Sequence, residues 1–307
     1  MLAPRDDNVA GCLWFGCPWT GPFDPLDAER TAIPPLERSR FQRDGRPVSA
    51  LDDFDAIAQR VRQQELALFL DYDGTLTPIV RRAEDAVLTE QMRSLLRELA
   101  RHARVAIVSG RDRRDAEQMV AIEGLIYAGS HGFDIRSPDF ELQHEAAQLA
   151  LPDLDAAESR LRRQLEQVPG ARVERKRFAV AVHCREVESE SDRTIVEAHV
   201  DGACAACAAL RKRGGKRVFE LQPDVPWDKG RAMLWLLESM GLANRQAVAM
   251  YLGDDVTDED AFAVLAGRDD GIGIRVAEPS EPTQARYVLA NCGQVEEFLR
   301  RLLATLA

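Results

Sequence analysis

The sequence predicts an α/β protein: a doubly wound, mainly parallel sheet with a smaller α+β module inserted into it. Three observations carry this. Uninterrupted apolar runs at 66–70, 105–108, 125–128 and 247–252 read as strands buried on both faces, as in a parallel sheet. Stretches with apolar residues at helical spacing separate them, and strands alternating with helices build doubly wound sheets. In the middle of the chain, about 133–223, the period changes to the two-residue alternation of half-buried antiparallel strands.

Taken in order, residues 1–48 form a separate zone. It holds seven of the 15 prolines without helical or strand periodicity, so an irregular arm is expected. Its Trp14, Phe15 and Trp19 would dock on a partner or pack back on the chain. From Ser49 the texture changes: Leu51, Phe54, Ile57, Ala58 and Val61 recur at helical spacing ahead of the first buried strand. A helix is expected from Thr89 to His102, a strand at 105–108, a helix after Asp112 and a strand at 125–128. The module then opens with a hairpin, 133–136 and 140–142, around Ser137-Pro138-Asp139. A helix carrying Leu154, Ala157, Leu161 and Leu165 follows. Phe178, Val180 and Val182 alternate with Ala179, Ala181 and His183 as one strand, a second helix spans roughly 191–213, and 217–221 is a further strand. The sheet resumes with a helix capped by Asp228, carrying Met233, Leu236, Leu237 and Met240 and closed by Gly241. Strands at 247–252 and 272–276 and a last helix at 294–306 complete it. The expected organisation is an arm at 1–48, a core at 49–132 and 224–307, and an insert at 133–223.

Composition agrees with such a chain and excludes other classes. At about 150 residues per domain, 307 residues give roughly two domains. With 45% hydrophobic and 30% charged residues, a core forms without disulfides or a structural metal. The charge sum is 40 − 51 = −11, an acidic balance that argues against nucleic-acid or membrane-surface partners but not against a small anion held at one site. No run of about 18 apolar residues is present, so no membrane span is expected. The six cysteines show no disulfide framework, and Cys204-Ala-Ala-Cys207 lies in an Ala-rich, helix-like run without further ligands at zinc spacing, so it reads as small packed side chains. Val9-Ala10-Gly11-Cys12 resembles a lipoprotein cleavage box, but Asp6, Asp7 and Asn8 precede it rather than a basic and apolar run. A cytoplasmic protein is expected. The oligomeric state is left open, with a monomer as the default.

Three places carry chemistry, each just beyond the C-terminal end of a predicted strand, where open α/β sheets place ligands. The first is Asp71-Tyr72-Asp73-Gly74-Thr75. Two carboxylates at i, i+2 after a buried strand are costly unless compensated, and a hard divalent cation such as magnesium compensates them. One carboxylate can then be a nucleophile and the other an acid/base. The competing reading is a polar turn. The second is Val108-Ser109-Gly110-Arg111, where a hydroxyl and a backbone N–H can hold a phosphate oxygen, or simply cap a helix. The third is 253–260, with five carboxylates within seven residues; a solvated helix start accounts for the last three, but Asp254 and Asp255 sit too close to the strand for that. Lys229, in Trp227-Asp228-Lys229-Gly230, lies at a helix N-terminus, the wrong end of the dipole for a cation unless an anion meets it.

In this order over about 49–307, DYDGT, VSGR, DKG and GDDVTDED resemble the motifs of the haloacid-dehalogenase-like phosphatases. The resemblance implies that Asp71 is the nucleophile forming an aspartyl-phosphate, and that Asp73 protonates the departing sugar oxygen and then activates water. It also implies magnesium held by Asp71, the Asp73 carbonyl and Asp254, with Asp255 and Asp258 acting through waters. Ser109 and Lys229 would bind phosphoryl oxygens. Finer matches, LFLDYDGTLTPI with Tyr72, Gly129-Ser130-His131-Gly132, His183-Cys184-Arg185, and Glu220 ahead of the DKG motif, look like the trehalose-6-phosphate phosphatase family. That family's insert is a cap closing over the sugar, so the implied substrate contacts are Asp71, Tyr72, Asp73, His131, Lys176, His183, Arg185 and Glu220. Arg172, Arg175, Lys176 and Arg177 make this edge basic in an acidic protein. The expected activity is hydrolysis of trehalose 6-phosphate, a sugar-phosphate reaction of trehalose biosynthesis.

Two alternatives keep the same core motifs: a phosphatase for another sugar phosphate (sucrose, mannosylglycerate or glucosylglycerol phosphate) or a non-catalytic regulatory protein using the aromatic arm. A phosphomutase would use the same aspartates, with the large insert and Tyr72 arguing against it. Residues 1–48 match nothing in the motif set, and the chain has no room for the synthase-like domain that often accompanies the family.

Overall fold

Runs that are apolar at every position become strands here because both of their faces are covered. The computed structural model describes residues 47–80, 82–215, 218–243, 247–277 and 282–307. The arm's Trp14, Phe15 and Trp19, with Cys12 and Cys17, lie outside them, as does Arg217. In chain order the elements are β1 (Val48–Ser49), α1 (Phe54–Val61), β2 (Glu65–Leu70), α2 (Glu90–His102), β3 (Arg104–Val108), α3 (Arg113–Val120), β4 (Ile126–Gly129), β5 (Asp134–Arg136) and β6 (Glu141–Gln143). Next come α4 (Glu145–Leu149), α5 (Leu151–Leu165), β7 (Arg172–Lys176), β8 (Ala179–His183), α6 (Glu190–Ala205), β9 (Leu210–Gly215) and β10 (Val218–Pro223). The chain then returns through α7 (Lys229–Ser239), β11 (Ala247–Gly253), α8 (Glu259–Ala266), β12 (Gly271–Val276), β13 (Tyr287–Leu289) and α9 (Cys292–Leu306).

A nine-stranded sheet runs in the order β1-β13-β12-β11-β2-β3-β4-β5-β6 and is parallel from β1 to β4. Alternate residues of its strands feed two cores. Leu66, Leu68, Leu70, Val248, Met250 and Leu252 face Leu96 and Leu99 of α2 and Phe298 and Leu302 of α9. Ala67, Phe69, Ala249 and Tyr251 face Met233 and Leu236 of α7 and Phe262 of α8. The chain moves outward one way through β3 and β4 and the other way through β12 and β13, so β2 and β11 flank the switch point where doubly wound sheets bind ligands. The cap expected at Asp228 forms, accepting from Arg231 N–H, and Thr89 caps α2 by accepting from Met92 N–H.

The second sheet is antiparallel, β7-β8-β10-β9, and packs one face on α5 and α6 through Val173, Val180, Val182, Phe219 and Leu221. Three sequence expectations change here. The hairpin of β5 and β6 pairs with β4 at the edge of the large sheet instead of opening the insert. The second helix stops at Ala205 rather than near 213, because Leu210–Gly215 pairs with β10 as an edge strand whose charged side chains conceal a strand pattern. Phe178 leaves the insert's strand face altogether and is buried in the core of the large sheet. Cys204 and Cys207 are free thiols, half-buried against the insert's core.

Candidate active site

Four neighbouring strands, β11, β2, β3 and β4, deliver their C-terminal loops to one place. Asp71 continues β2: its N–H donates to Leu252 O of β11 at 2.9 Å. The chain then turns back, with Gly74 N–H donating to Thr77 O at 2.7 Å and the Leu76 and Thr77 N–H groups converging on Tyr72 O. Gly74 has a left-handed φ of +81°, and a Cβ there would collide with the Asp254 carboxylate. The turn therefore admits Asp254 against the Asp71 loop only because position 74 lacks a side chain.

Lys229 opens α7 and is 2% exposed. Its Nζ donates to Asp71 Oδ1 at 2.8 Å and to Asp258 Oδ1 at 2.7 Å. Asp258, fully buried, also accepts the Tyr251 hydroxyl at 2.7 Å and, through Oδ2, the Asp255 N–H at 2.9 Å. Burial disfavours the Lys229 ammonium, but Asp258 and Asp71 outweigh it and hold its pKa well above the ordinary value. Burial pushes Asp71 well above the usual carboxylate range, opposed by Lys229. Asp254 is pushed up to about 7, by burial first and by Asp258 next.

Carboxylate oxygens of Asp71, Asp254 and Asp258 lie within 4.8 Å of one another. Three carboxylates thus face one ammonium, and Asp254 Oδ1 is buried without a hydrogen-bond partner. An oxygen-only donor set with an orphaned acceptor and excess negative charge fits a hard divalent cation. Asp255 is not in the cluster: its exposed carboxylate accepts the Val256 N–H at 2.7 Å and caps the following turn.

Asp73 and Ser109 flank this cluster in unforeseen ways. Both oxygens of Asp73 are taken by Arg111, Nη2 at 2.5 Å and Nε at 2.6 Å, a bidentate pair that the sequence reading missed. The buried Ser109 hydroxyl accepts the Arg111 N–H at 3.2 Å. Tyr72 corrects an expectation. Its side chain is fully buried, its hydroxyl donates to Ala86 O at 2.6 Å, and Arg111 stacks over its ring, so it offers no face to a sugar.

Beside β3, the loop after β4 places Ser130 and His131 at positive φ, 49° and 57°. Two left-handed non-glycine residues cost roughly 1–2 kcal/mol each, and the surroundings enforce them. Ser130 N–H donates to Arg111 O and His131 N–H to Ser109 O, while a Cβ at Gly110 would press on the His131 ring. His131 Nε2 thereby meets Glu220 Oε2 of β10 at 3.1 Å. Lys176 Nζ donates to Glu220 Oε1 at 2.8 Å and to Gly110 O at 3.1 Å, and Gln222, which no sequence signal marked, donates to Glu220 Oε2 at 2.6 Å. Burial would raise the Glu220 carboxyl, but Lys176 and His131 hold it well below the usual carboxylate range.

Strand alternation puts Glu174, Lys176, His183, Glu220, Gln222 and Arg213 on the face opposite the insert's helices. This face meets the large sheet's loops: Arg213 bonds Asp260 at 3.1 Å, and Lys176 reaches Gly110. His183 is paired with Glu174 at 2.7 Å. Arg185 lies beyond β8, not on its face, and its Nη1 donates to Val80 O at 3.2 Å in the loop that follows Asp71. The structure thus brings Asp71, Asp254, Asp258 and Lys229 into one cluster and His131, Lys176 and Glu220 into a second that touches Gly110, beside Ser109.

A family model described as trehalose-phosphatase matches residues 69–292. Trehalose 6-phosphate phosphatase RA3 of Zea mays is 40% identical over 268 residues, covering 83% of this chain and 74% of the relative. The C-terminal domain of C. albicans trehalose-6-phosphate phosphatase has a TM-score of 0.72 at 23% identity, covering 85% of this chain and 100% of that one. For the Aspergillus fumigatus trehalose-6-phosphate phosphatase the TM-score is 0.62 at 26% identity, with coverage of 85% and 100%.

Proposed function

The chain belongs to the trehalose-phosphatase family, and from that premise we propose that it hydrolyses trehalose 6-phosphate to trehalose and inorganic phosphate, with magnesium at the acidic cluster. The observation that carries the proposal is the buried convergence of Asp71, Asp254, Asp258 and Lys229 beside a polar insert face centred on Glu220. When bound there by Asp71, Asp254 and Asp258, the cation neutralises phosphoryl charge that three carboxylates would otherwise repel. The Asp73 carbonyl is a further ligand in this reading.

In the reaction we infer, an oxygen of Asp71 attacks phosphorus and the bond from phosphorus to the sugar oxygen breaks. Lys229 lowers the repulsion between Asp71 and the incoming dianion, and Ser109 orients a phosphoryl oxygen. Asp73 gives its proton to the departing sugar oxygen. Arg111 holds both Asp73 oxygens and so orients the carboxyl group for this transfer. Asp73 then takes a proton from water, whose oxygen attacks phosphorus and releases Asp71. His131, Lys176, His183, Arg185 and Glu220 read the disaccharide. The free thiols are in keeping with a cytoplasmic site of action.

A panel of sugar phosphates, with released phosphate measured with and without EDTA, tests this. Trehalose 6-phosphate is expected to be the best substrate, with activity lost in EDTA and restored by magnesium. Equal or faster turnover of sucrose 6-phosphate would overturn the substrate assignment.

A further inference from the structure

Asp112 occupies the position that caps α3, yet its carboxylate bonds no backbone N–H of that helix. Its two oxygens accept instead the backbone N–H of Arg177, at 2.9 and 3.0 Å, and Oδ1 also accepts the Ser130 hydroxyl at 3.0 Å. Arg177 stands in the two-residue turn between β7 and β8, at the tip of the insert's first hairpin. Its guanidinium bonds Asp134 at 3.2 Å and Gln143 at 2.8 Å, and Asp134 is held from the other side by the buried Arg113 at 3.0 Å. The next residue, Phe178, is fully buried beside Phe133, with ring centroids 5.9 Å apart. Two consecutive residues of one hairpin tip are therefore fixed to the large sheet by a backbone hydrogen bond and an ion pair from Arg177 and a buried ring from Phe178. The residue before Arg177 is Lys176, whose ammonium spans Gly110 O and Glu220.

An acidic residue that gives up its own helix cap to hold a neighbouring hairpin has been committed to that contact. We propose that Asp112 is a positioning residue: by clamping the Arg177 N–H it fixes the tip of the β7–β8 hairpin so that Lys176 stays over Gly110, at the phosphate end of the site. One Asp thereby ties together the loop after β3, the left-handed loop after β4 and the insert. The inference rests on the proposed reading of Lys176 as a substrate contact.

The test combines a double-mutant cycle with hydrogen exchange on the full chain. Asp112→Ala should lower kcat/KM on trehalose 6-phosphate by about tenfold, and when added to Lys176→Ala should cost no more than about twofold further, because contacting residues couple. Asp112→Asn, whose amide oxygen still accepts an N–H, should lose less than Asp112→Ala, and it carries both readouts if the alanine variant does not fold. Amide exchange in a peptide covering 172–179 should speed up in Asp112→Ala and stay at the wild-type rate in Lys176→Ala. Losses that multiply across the two sites, or exchange that does not change, overturn the proposal. A wild-type protein inactive on trehalose 6-phosphate would instead refute the substrate reading, and the exchange measurement, which needs no substrate, would still decide on the tether.

Discussion

Lys229→Met removes the ammonium that Asp71 and Asp258 share, with little change in side-chain volume. Deleting one partner of a buried ion pair costs about 3–5 kcal/mol. A proton can substitute for the lost charge, at the cost of protonating a carboxylate whose unfolded-state pKa is near 3.8. At about 1.36 kcal/mol per pH unit, that costs roughly 1.6 kcal/mol at pH 5 and roughly 5.7 kcal/mol at pH 8. Proton uptake therefore limits the loss at pH 5, whereas at pH 8 it is no cheaper than leaving the charge stranded, and the full 3–5 kcal/mol is expected. The sign follows from the loss of Lys229, whose charge lowers the Asp71 pKa: without it the folded variant binds more protons than folded wild type, so the deficit grows as pH rises. Denaturant midpoints in EDTA at about pH 5, 6.5 and 8, against wild type, measure this. Magnesium should narrow the deficit, since a ligand that binds only the folded state stabilises it. A deficit independent of pH, or under about 1 kcal/mol at pH 8, would refute the view that Lys229 serves as the cluster's built-in counter-charge.

Gly74→Ala places a methyl group against the Asp254 carboxylate at a left-handed position; it should destabilise the protein by about 1 kcal/mol and raise the magnesium concentration needed for half-maximal phosphate release. Unchanged magnesium dependence would mean that Asp254 is not a ligand. Glu220→Ala strips Lys176, His131 and Gln222 of their shared acceptor, so KM for trehalose 6-phosphate should rise by about tenfold while that for p-nitrophenyl phosphate changes by less than about twofold. Parallel losses on both substrates would exclude a role in reading the sugar. Burial lowers the pKa of His144, packed between Phe133 and Trp227. Its stabilising contribution is present above the unfolded value of 6.5 and lost as pH falls below it. His144→Phe should therefore flatten the decline in denaturation midpoint between about pH 7 and 5, and equal slopes for the two proteins would contradict the assignment.

Much of this architecture was legible because each chemical motif follows a strand that is apolar at every position. The runs ending at Leu70, Val108 and Leu252 declared their burial, and whatever followed had to lie at the sheet's carboxyl edge. Lys229 was legible by its misfit with the helix dipole, which Asp71 and Asp258 resolve. Other features had no local signature. The strand Leu210–Gly215 carries Arg211, Lys212 and Arg213, and only its pairing with β10 reveals it. The VSGR motif gives Arg111 no role by itself, because its partner Asp73 lies 38 residues away in sequence. The roles of Asp112 and Gln222 reside in contacts to Arg177 and Glu220 that periodicity does not encode. Tyr72 turns away from the site because the motifs fix which residues are near it but not which way each side chain turns.

The insert's four-stranded sheet has one consequence for how its sequence can vary. Along β10, Phe219 and Leu221 hold the sheet to its helices, while Glu220 and Gln222 face the loops of the large sheet. The same division runs along β7, where Val173 faces the helices and Glu174 and Lys176 face the site. Tolerance to substitution should therefore switch at every step along these strands, one residue judged by whether the protein survives and the next by which substrate it accepts. A change of substrate preference could be written into every second position with the intervening ones untouched.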